Sequence, residues 1–170
     1  MKNCAGFTLI ELMTTLVVAI VLTGIAAPSL TDLHVSYRAR TAIKTIQQTL
    51  QLGRNQAISY GSRVTACPIK NNRCIRDWKI GITVFTDSGE TYTIDGADKI
   101  IFATSPFHSD DIINYNRLAV RFQPDGLASG TNGTLKYCPL SSDNKHAKAV
   151  IINQAGRVRF STKDNIKCDS

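Results

Sequence analysis

The sequence predicts an α+β fold, one long N-terminal helix packed on an antiparallel β-sheet domain. Three observations predict it. An apolar run from Phe7 to Ala27 carries one charge, Glu11. Beyond it, apolar residues keep helical spacing to about Tyr60. After Gly61 the hydrophobic period falls to two, and short runs alternate with turn residues. The 170 residues are 43% hydrophobic and 19% charged, an ordinary globular mix that excludes global disorder, and Gly and Pro are too few for collagen-like or Pro-rich repeats.

The first half of the helix reads as a membrane segment. At ~1.5 Å per residue, Phe7–Ala27 makes roughly 30 Å of helix, the thickness of a bilayer's hydrocarbon layer. Thr8, Thr14, Thr15 and Thr23 can return their hydroxyls to the helix backbone. A secretory signal places a small-residue cleavage site after its apolar run, whereas here the small residue, Gly6, stands before it. Glu11 costs about 2.5–3.5 kcal/mol within a membrane helix and is a functional candidate by default. Cleavage after Gly6 would create an amine on Phe7, a natural partner for that carboxylate. The second half, with Ile43, Ile46, Leu50 and Ala57 on one face and Arg38, Arg40, Lys44, Gln47, Gln48, Gln51 and Arg54 on the others, reads as the core helix of an exported domain. Pro28 should bend the helix and Gly61 should end it.

Strands are expected at Arg63–Ala66, Lys79–Thr86, Thr91–Ile94, Lys99–Ala103, Leu118–Phe122, Thr134–Tyr137, Ala149–Asn153 and Arg157–Ser161. Asp87-Ser88-Gly89, Asp95-Gly96, Pro124-Asp125-Gly126, Asn132-Gly133 and Gln154-Ala155-Gly156 supply turns between them.

Gly6-Phe7-Thr8-Leu9-Ile10-Glu11-Leu12 resembles the signal of type IV pilins and type II secretion pseudopilins. The resemblance implies a pilin-like fold. It implies prepilin peptidase cleavage between Gly6 and Phe7, methylation of Phe7, and subunit registration in a filament through Glu11. On this reading residues 1–6 are a leader, 7–29 the transmembrane half of the helix, and 30–170 the globular domain. The protein would sit in the inner membrane with that domain in the periplasm, then move into a pilus on the cell surface beside other major and minor pilins. Trp78-Lys79-Ile80-Gly81-Ile82-Thr83-Val84-Phe85-Thr86-Asp87 resembles a segment of the GspH/FimT/FimU branch, as do Phe122–Gly126 and Gly156-Arg157-Val158-Arg159, with FimT-type members the most similar.

Loss of the leader would remove Cys4 and leave an even set, Cys67, Cys74, Cys138 and Cys168. Four cysteines allow three pairings, of which Cys67–Cys74 with Cys138–Cys168 is expected. No C-x-x-C spacing is present and His34, His108 and His146 stand apart, so no metal is expected. No nucleophile elbow, phosphate loop or dinucleotide fingerprint is present. Neither enzymatic activity nor a cofactor is expected.

The net charge of +7 is unevenly spread. Residues 30–80 and 134–170 are basic blocks around an acidic middle. The last block holds Lys136, Lys145, Lys148, Arg157, Arg159, Lys163 and Lys167. Arg157 and Arg159 lie two apart on an expected strand and so share a face. Guanidinium groups pair bidentately with phosphate oxygens. Some FimT-type minor pilins bind DNA through a C-terminal Gly-Arg-x-Arg segment and serve in natural transformation; the resemblance implies double-stranded DNA as a partner for this cluster. Similar segments also occur in branch members that only assemble filaments, either pili or secretion pseudopili. Phe160 and Tyr137 are the nearest aromatics, so binding is expected to be phosphate-led, without base stacking.

Overall fold

The computed structural model describes residues 6–128 and 130–168, apart from the side chains of residues 25–28. The leader expected at residues 1–6, other than Gly6, lies outside the described residues, Cys4 with it. The side chain of Pro28, where a bend is expected, lies outside them as well, while its backbone is part of the first helix.

Helix α1 spans Leu9–Tyr60. It begins two residues later than the apolar run because Thr8 caps it. The Thr8 hydroxyl accepts from the Glu11 amide at 3.3 Å, and Glu11 Oε2 accepts from the Thr8 amide at 3.3 Å. This reciprocal box satisfies backbone donors that a helix start leaves open. Thr14, Thr15 and Thr23 donate their hydroxyls to carbonyls three or four residues back, as expected of threonine in an apolar helix, whereas Thr8, at the cap, donates its hydroxyl to Glu11 Oε2 and not to a carbonyl. An apolar stretch near the helix N-terminus has a mean hydropathy of 2.3 and is unburied, long and apolar enough to cross a membrane.

From Arg38 onward the helix belongs to a compact unit that runs to Ser170. Ile43, Ile46, Leu50 and Ala57 are buried on one face, as their spacing predicts, and Ala39 and Ala42 are buried with them. Gly61 ends the helix at φ 59°, with Ser62 N–H bonded to the Ala57 carbonyl and Gly61 N–H to the Ile58 carbonyl. This paired arrangement satisfies the last carbonyls and needs a left-handed residue at that point.

The single sheet expected from the sequence is two sheets. Strands β1 (Val64–Cys67), β4 (Thr83–Thr86), β5 (Ile100–Ala103) and β7 (Val120–Phe122) form one, ordered β5-β4-β1-β7. Strands β6 (Ile112–Tyr115), β8 (Gly133–Cys138), β9 (Lys148–Ile152) and β10 (Val158–Phe160) form the other, ordered β10-β9-β8-β6. Every pairing is antiparallel. The inner faces of both sheets join the helix in one apolar cluster that includes Val84, Phe122, Leu135, Val150 and Trp78. Two sheets are needed because the chain crosses between them after β5, after β6 and after β7, so β6 pairs with β8 and not with its sequence neighbours.

A third, two-stranded hairpin, β2 (Ile69–Lys70) and β3 (Arg73–Cys74), was not expected. Asn71 and Asn72 both take positive φ, 52° and 61°, the two-residue turn that matches strand twist. The Cys67–Cys74 disulfide closes it, and the Cys138–Cys168 disulfide ties the C-terminal tail to β8.

Two strand expectations are corrected and one unexpected strand is added. The strand expected at Lys79–Thr86 is a 3-10 turn, Trp78–Ile80, followed by β4. Gly81 breaks it: φ is 109°, and a Cβ there would lie 2.9 Å from the Thr104 carbonyl oxygen. Residues 91–94 form only one bridge, Thr93 to Arg73, because Tyr92 takes φ 65° and carboxylates hold the surrounding loop. In that loop burial opposes the charge on Asp98, but hydrogen bonds from Ser88, Asp95 and Thr86 outweigh it and hold the carboxyl below its ordinary pKa. Ile112–Tyr115 is a strand that the sequence reading missed.

Asp111, immediately before β6, has a fully buried side chain. It accepts from Arg38 Nη2 at 2.8 Å, from the Leu140 amide at 3.3 Å and from the Tyr137 hydroxyl. Burial, then the bond to Asp111, pushes the Tyr137 phenol well above its ordinary pKa. Burial likewise raises that of Tyr115, whose hydroxyl donates to the Thr131 carbonyl.

Candidate functional site

The Gly-Arg-x-Arg segment forms the turn from β9 into β10. Gly156 N–H donates to the Asn153 carbonyl at 2.9 Å, and Arg157 N–H to Asn153 Oδ1 at 2.8 Å. Gly156 takes φ 73°, and a Cβ there would clash with the Gly126 carbonyl oxygen. Two turns therefore pack back to back, joined also by Ala128 N–H to the Gln154 carbonyl at 3.0 Å. Arg54, on the helix, seals the junction: Nε donates to the Gly126 carbonyl at 3.1 Å and Nη2 to the Ala155 carbonyl at 3.3 Å. The glycine of the segment is thus fixed by packing.

Arg157 and Arg159 stand exposed on the same side of β10, as alternation predicts. Neither forms an ion pair with a described acid. They line an open cleft of about 600 Å³ between β10 and α1. Gln47, Gln51, Arg54 and Asn55 form its helix wall, and Phe160 closes the strand side. Gln51 reaches across to the Val158 carbonyl at 3.5 Å. The sequence reading assigned Arg54, Gln47 and Gln51 only to polar helix positions and overlooked Asn55. The four-residue spacing of Gln47, Gln51 and Asn55 was the available signal, but nothing local to the helix says that β10 faces it.

Lys136, Lys163 and Lys167 come together elsewhere, around a cleft of about 280 Å³ that also holds Asp164. Arg159 pairs with Ile151, and Ile151 with Thr134. Ile151 and Thr134 line that second cleft, so the pairing row of Arg159 leads across the sheet to it. At ~4.8 Å per strand the row is roughly 10 Å long. Lys148 lies apart, three residues along β9 from Ile151, and Lys145 sits in the loop between β8 and β9. The seven basic residues expected in one cluster are therefore two groups and two outliers.

At the other end, Phe7 and Glu11 are exposed, and Glu11 is engaged in the helix cap. An apolar, acid-capped helix continuing into the core helix of antiparallel sheets defines a pilin-type subunit. Residues 42–156 match the family described as Type II transport protein GspH, and residues 1–27 match the prokaryotic N-terminal methylation motif, which takes in Gly6, Phe7 and Glu11. The chain belongs to the GspH family of pilins and pseudopilins. That membership implies assembly with other pilins and processing by a prepilin peptidase.

The fold is similar to that of the Pseudomonas aeruginosa type IV minor pilin FimU in two crystal forms. The TM-scores are 0.62 and 0.61 at 18% identity, over 76% of this chain and 94% and 99% of the FimU chains. A comparison with curated proteins finds no match.

Proposed function

We propose that this chain is a minor pilin of a type IV pilus that binds DNA at its C-terminal basic surface. It is cleaved between Gly6 and Phe7 and methylated on Phe7. Residues 7–29 anchor it in the inner membrane, with residues 30–170 in the periplasm. It then enters the filament, at or near the tip, with Glu11 registering it against its neighbours. It acts by binding, without cofactor or catalysis, and its DNA ligand serves natural transformation. The likeness in fold to the type IV minor pilin FimU supports the pilus, although the family itself is described by a type II transport protein.

The observation that carries DNA binding is the exposed Arg157–Arg159 pair, free of described acids and joined by a strand row to the three-lysine group. Phosphates of a duplex laid along this row would meet guanidinium groups at one end and ammonium groups at the other. Such binding depends little on sequence and falls steeply with salt, because each neutralised phosphate releases counterions. A mobility-shift titration of the mature chain in detergent tests it. Arg157→Gln and Arg159→Gln should each weaken binding and lower the salt slope by about one. Absent binding, or binding unchanged by both, refutes the reading.

One observation favours a purely structural subunit that primes assembly of a pilus or a secretion pseudopilus: Gly156 and Arg54 are already explained by internal packing. On that reading the exposed arginines meet acidic faces of neighbouring pilins. Gene deletion then abolishes piliation, whereas the two arginine substitutions leave uptake of DNA unchanged in cells that still assemble pili.

A further inference from the structure

We infer that the α1–β10 cleft receives an unpaired nucleotide at a DNA end, with its base stacked on Phe160 and its phosphate held by Arg157 or Arg159. This rests on the DNA-binding reading above and deepens it, and it departs from the expectation of binding without base stacking because Phe160 is exposed beside the arginines.

The size of the cleft is the first ground. A volume of about 600 Å³ equals a cube about 8 Å on edge, whereas the major groove of a duplex alone is ~12 Å wide. The cleft has the size of a small-molecule site, ~300–1,000 Å³, which suits one or two nucleotides. A duplex can lie across the outer face of the sheet, but only a frayed or overhanging strand can enter between helix and strand.

The lining chemistry is the second ground. Among the described residues no carboxylate lines the cleft. Phe160 is 44% exposed on its rim, although it lies in a strand beside a core. An exposed aromatic beside arginines is the arrangement by which proteins bind single strands without strong sequence preference. The opposite wall carries Gln47, Gln51 and Asn55, four residues apart and so ~6 Å apart along one helix face. Side-chain amides both donate and accept, and can match a base edge that is free of its partner strand. The guanidinium groups of Arg157 and Arg159 supply the charge that a single phosphate needs.

The test is fluorescence polarisation of the mature chain in detergent with three labelled oligonucleotides of equal phosphate count. They are a single strand, a blunt duplex and a duplex with a short 3′ overhang. The single strand and the overhang should bind more tightly than the blunt duplex. Phe160→Leu, which keeps an apolar side chain, should weaken both about 5- to 150-fold, the range that stacking one base spans, and change blunt-duplex binding less than twofold. Asn55→Ala, at an exposed helix position on the same wall, should have the same selective effect, so the test survives if Phe160→Leu fails to fold. Equal affinity for all three ligands, or equal losses across them in both variants, overturns the inference and leaves the DNA-binding reading intact. No binding of any ligand, or binding unaffected by Arg157→Gln and Arg159→Gln, removes both.

Discussion

Replacing Gly156 with Ala isolates the packing of the β9–β10 turn from any ligand effect. Two penalties follow from the structure. Gly156 takes φ 73°, where a Cβ costs roughly 1–2 kcal/mol. The added methyl would also strike the Gly126 carbonyl and lie 2.9 Å from Arg54 Nε. Both neighbours are fixed, the first as backbone and the second by its hydrogen bonds, so overpacking adds about 1–3 kcal/mol. The sum is roughly 2–5 kcal/mol, which for a unit of this size lowers Tm by about 10–20 °C. Gly61→Ala is the matched control: φ is 59°, but a Cβ there meets nothing within 4 Å. It should cost only the conformational penalty. Thermal melts of both variants, followed by circular dichroism, give the comparison. If the two fall within about 2 °C of each other, the close approach of the two turns does not constrain Gly156, and the reasoning is wrong.

Asp111→Ala should cost about 3–5 kcal/mol in chemical denaturation, because it strands Arg38, the Tyr137 hydroxyl and the Leu140 amide around a buried vacancy. Removing the Cys138–Cys168 disulfide by paired Ala substitutions should cost roughly 3–4 kcal/mol, against about 2–3 for Cys67–Cys74, since the closed segments span 30 and 7 residues; equal losses in paired melts would count against the chain-entropy account. Stability should fall at alkaline pH. The unfolded chain releases tyrosine protons near pH 10, whereas folded Tyr115 and Tyr137 keep theirs, so the folded state binds more protons and ΔG of unfolding declines from about pH 10 upward. Urea titrations between pH 9 and 11 should show this decline, and Tyr137→Phe should make it shallower.

The part of the molecule legible in the sequence is the part governed by local rules. The end of α1 was readable because Gly61 follows the last apolar position; its cap, Thr8 and Glu11 three residues apart, is just as local but was missed, Thr8 being taken for a residue within the helix. The buried helix face follows from 3.6-residue periodicity, and the shared side of Arg157 and Arg159 from the two-residue period of a strand. The Asn71-Asn72 turn was equally local and was overlooked, since Asn-Asn is a weaker signal for such a turn than Asn-Gly or Asp-Gly.

The candidate site is another matter. Nothing near Gly156 announces Gly126, and nothing in α1 announces Phe160. These residues meet because two sheets close over one helix, which brings β10 against a polar stretch that periodicity alone marks as solvent-facing. The same closure sends the seven basic residues of one sequence block to different places, since side-chain position depends on register across three strands as well as on order along the chain. Local patterns along the chain suffice for a pilin-type subunit, its helix, its processing signal and its charge. Which charges stand together, and that the Gly in Gly-Arg-x-Arg is held by a neighbouring turn, emerge only on folding, because pairing register and close packing are set by contacts between segments distant in the chain.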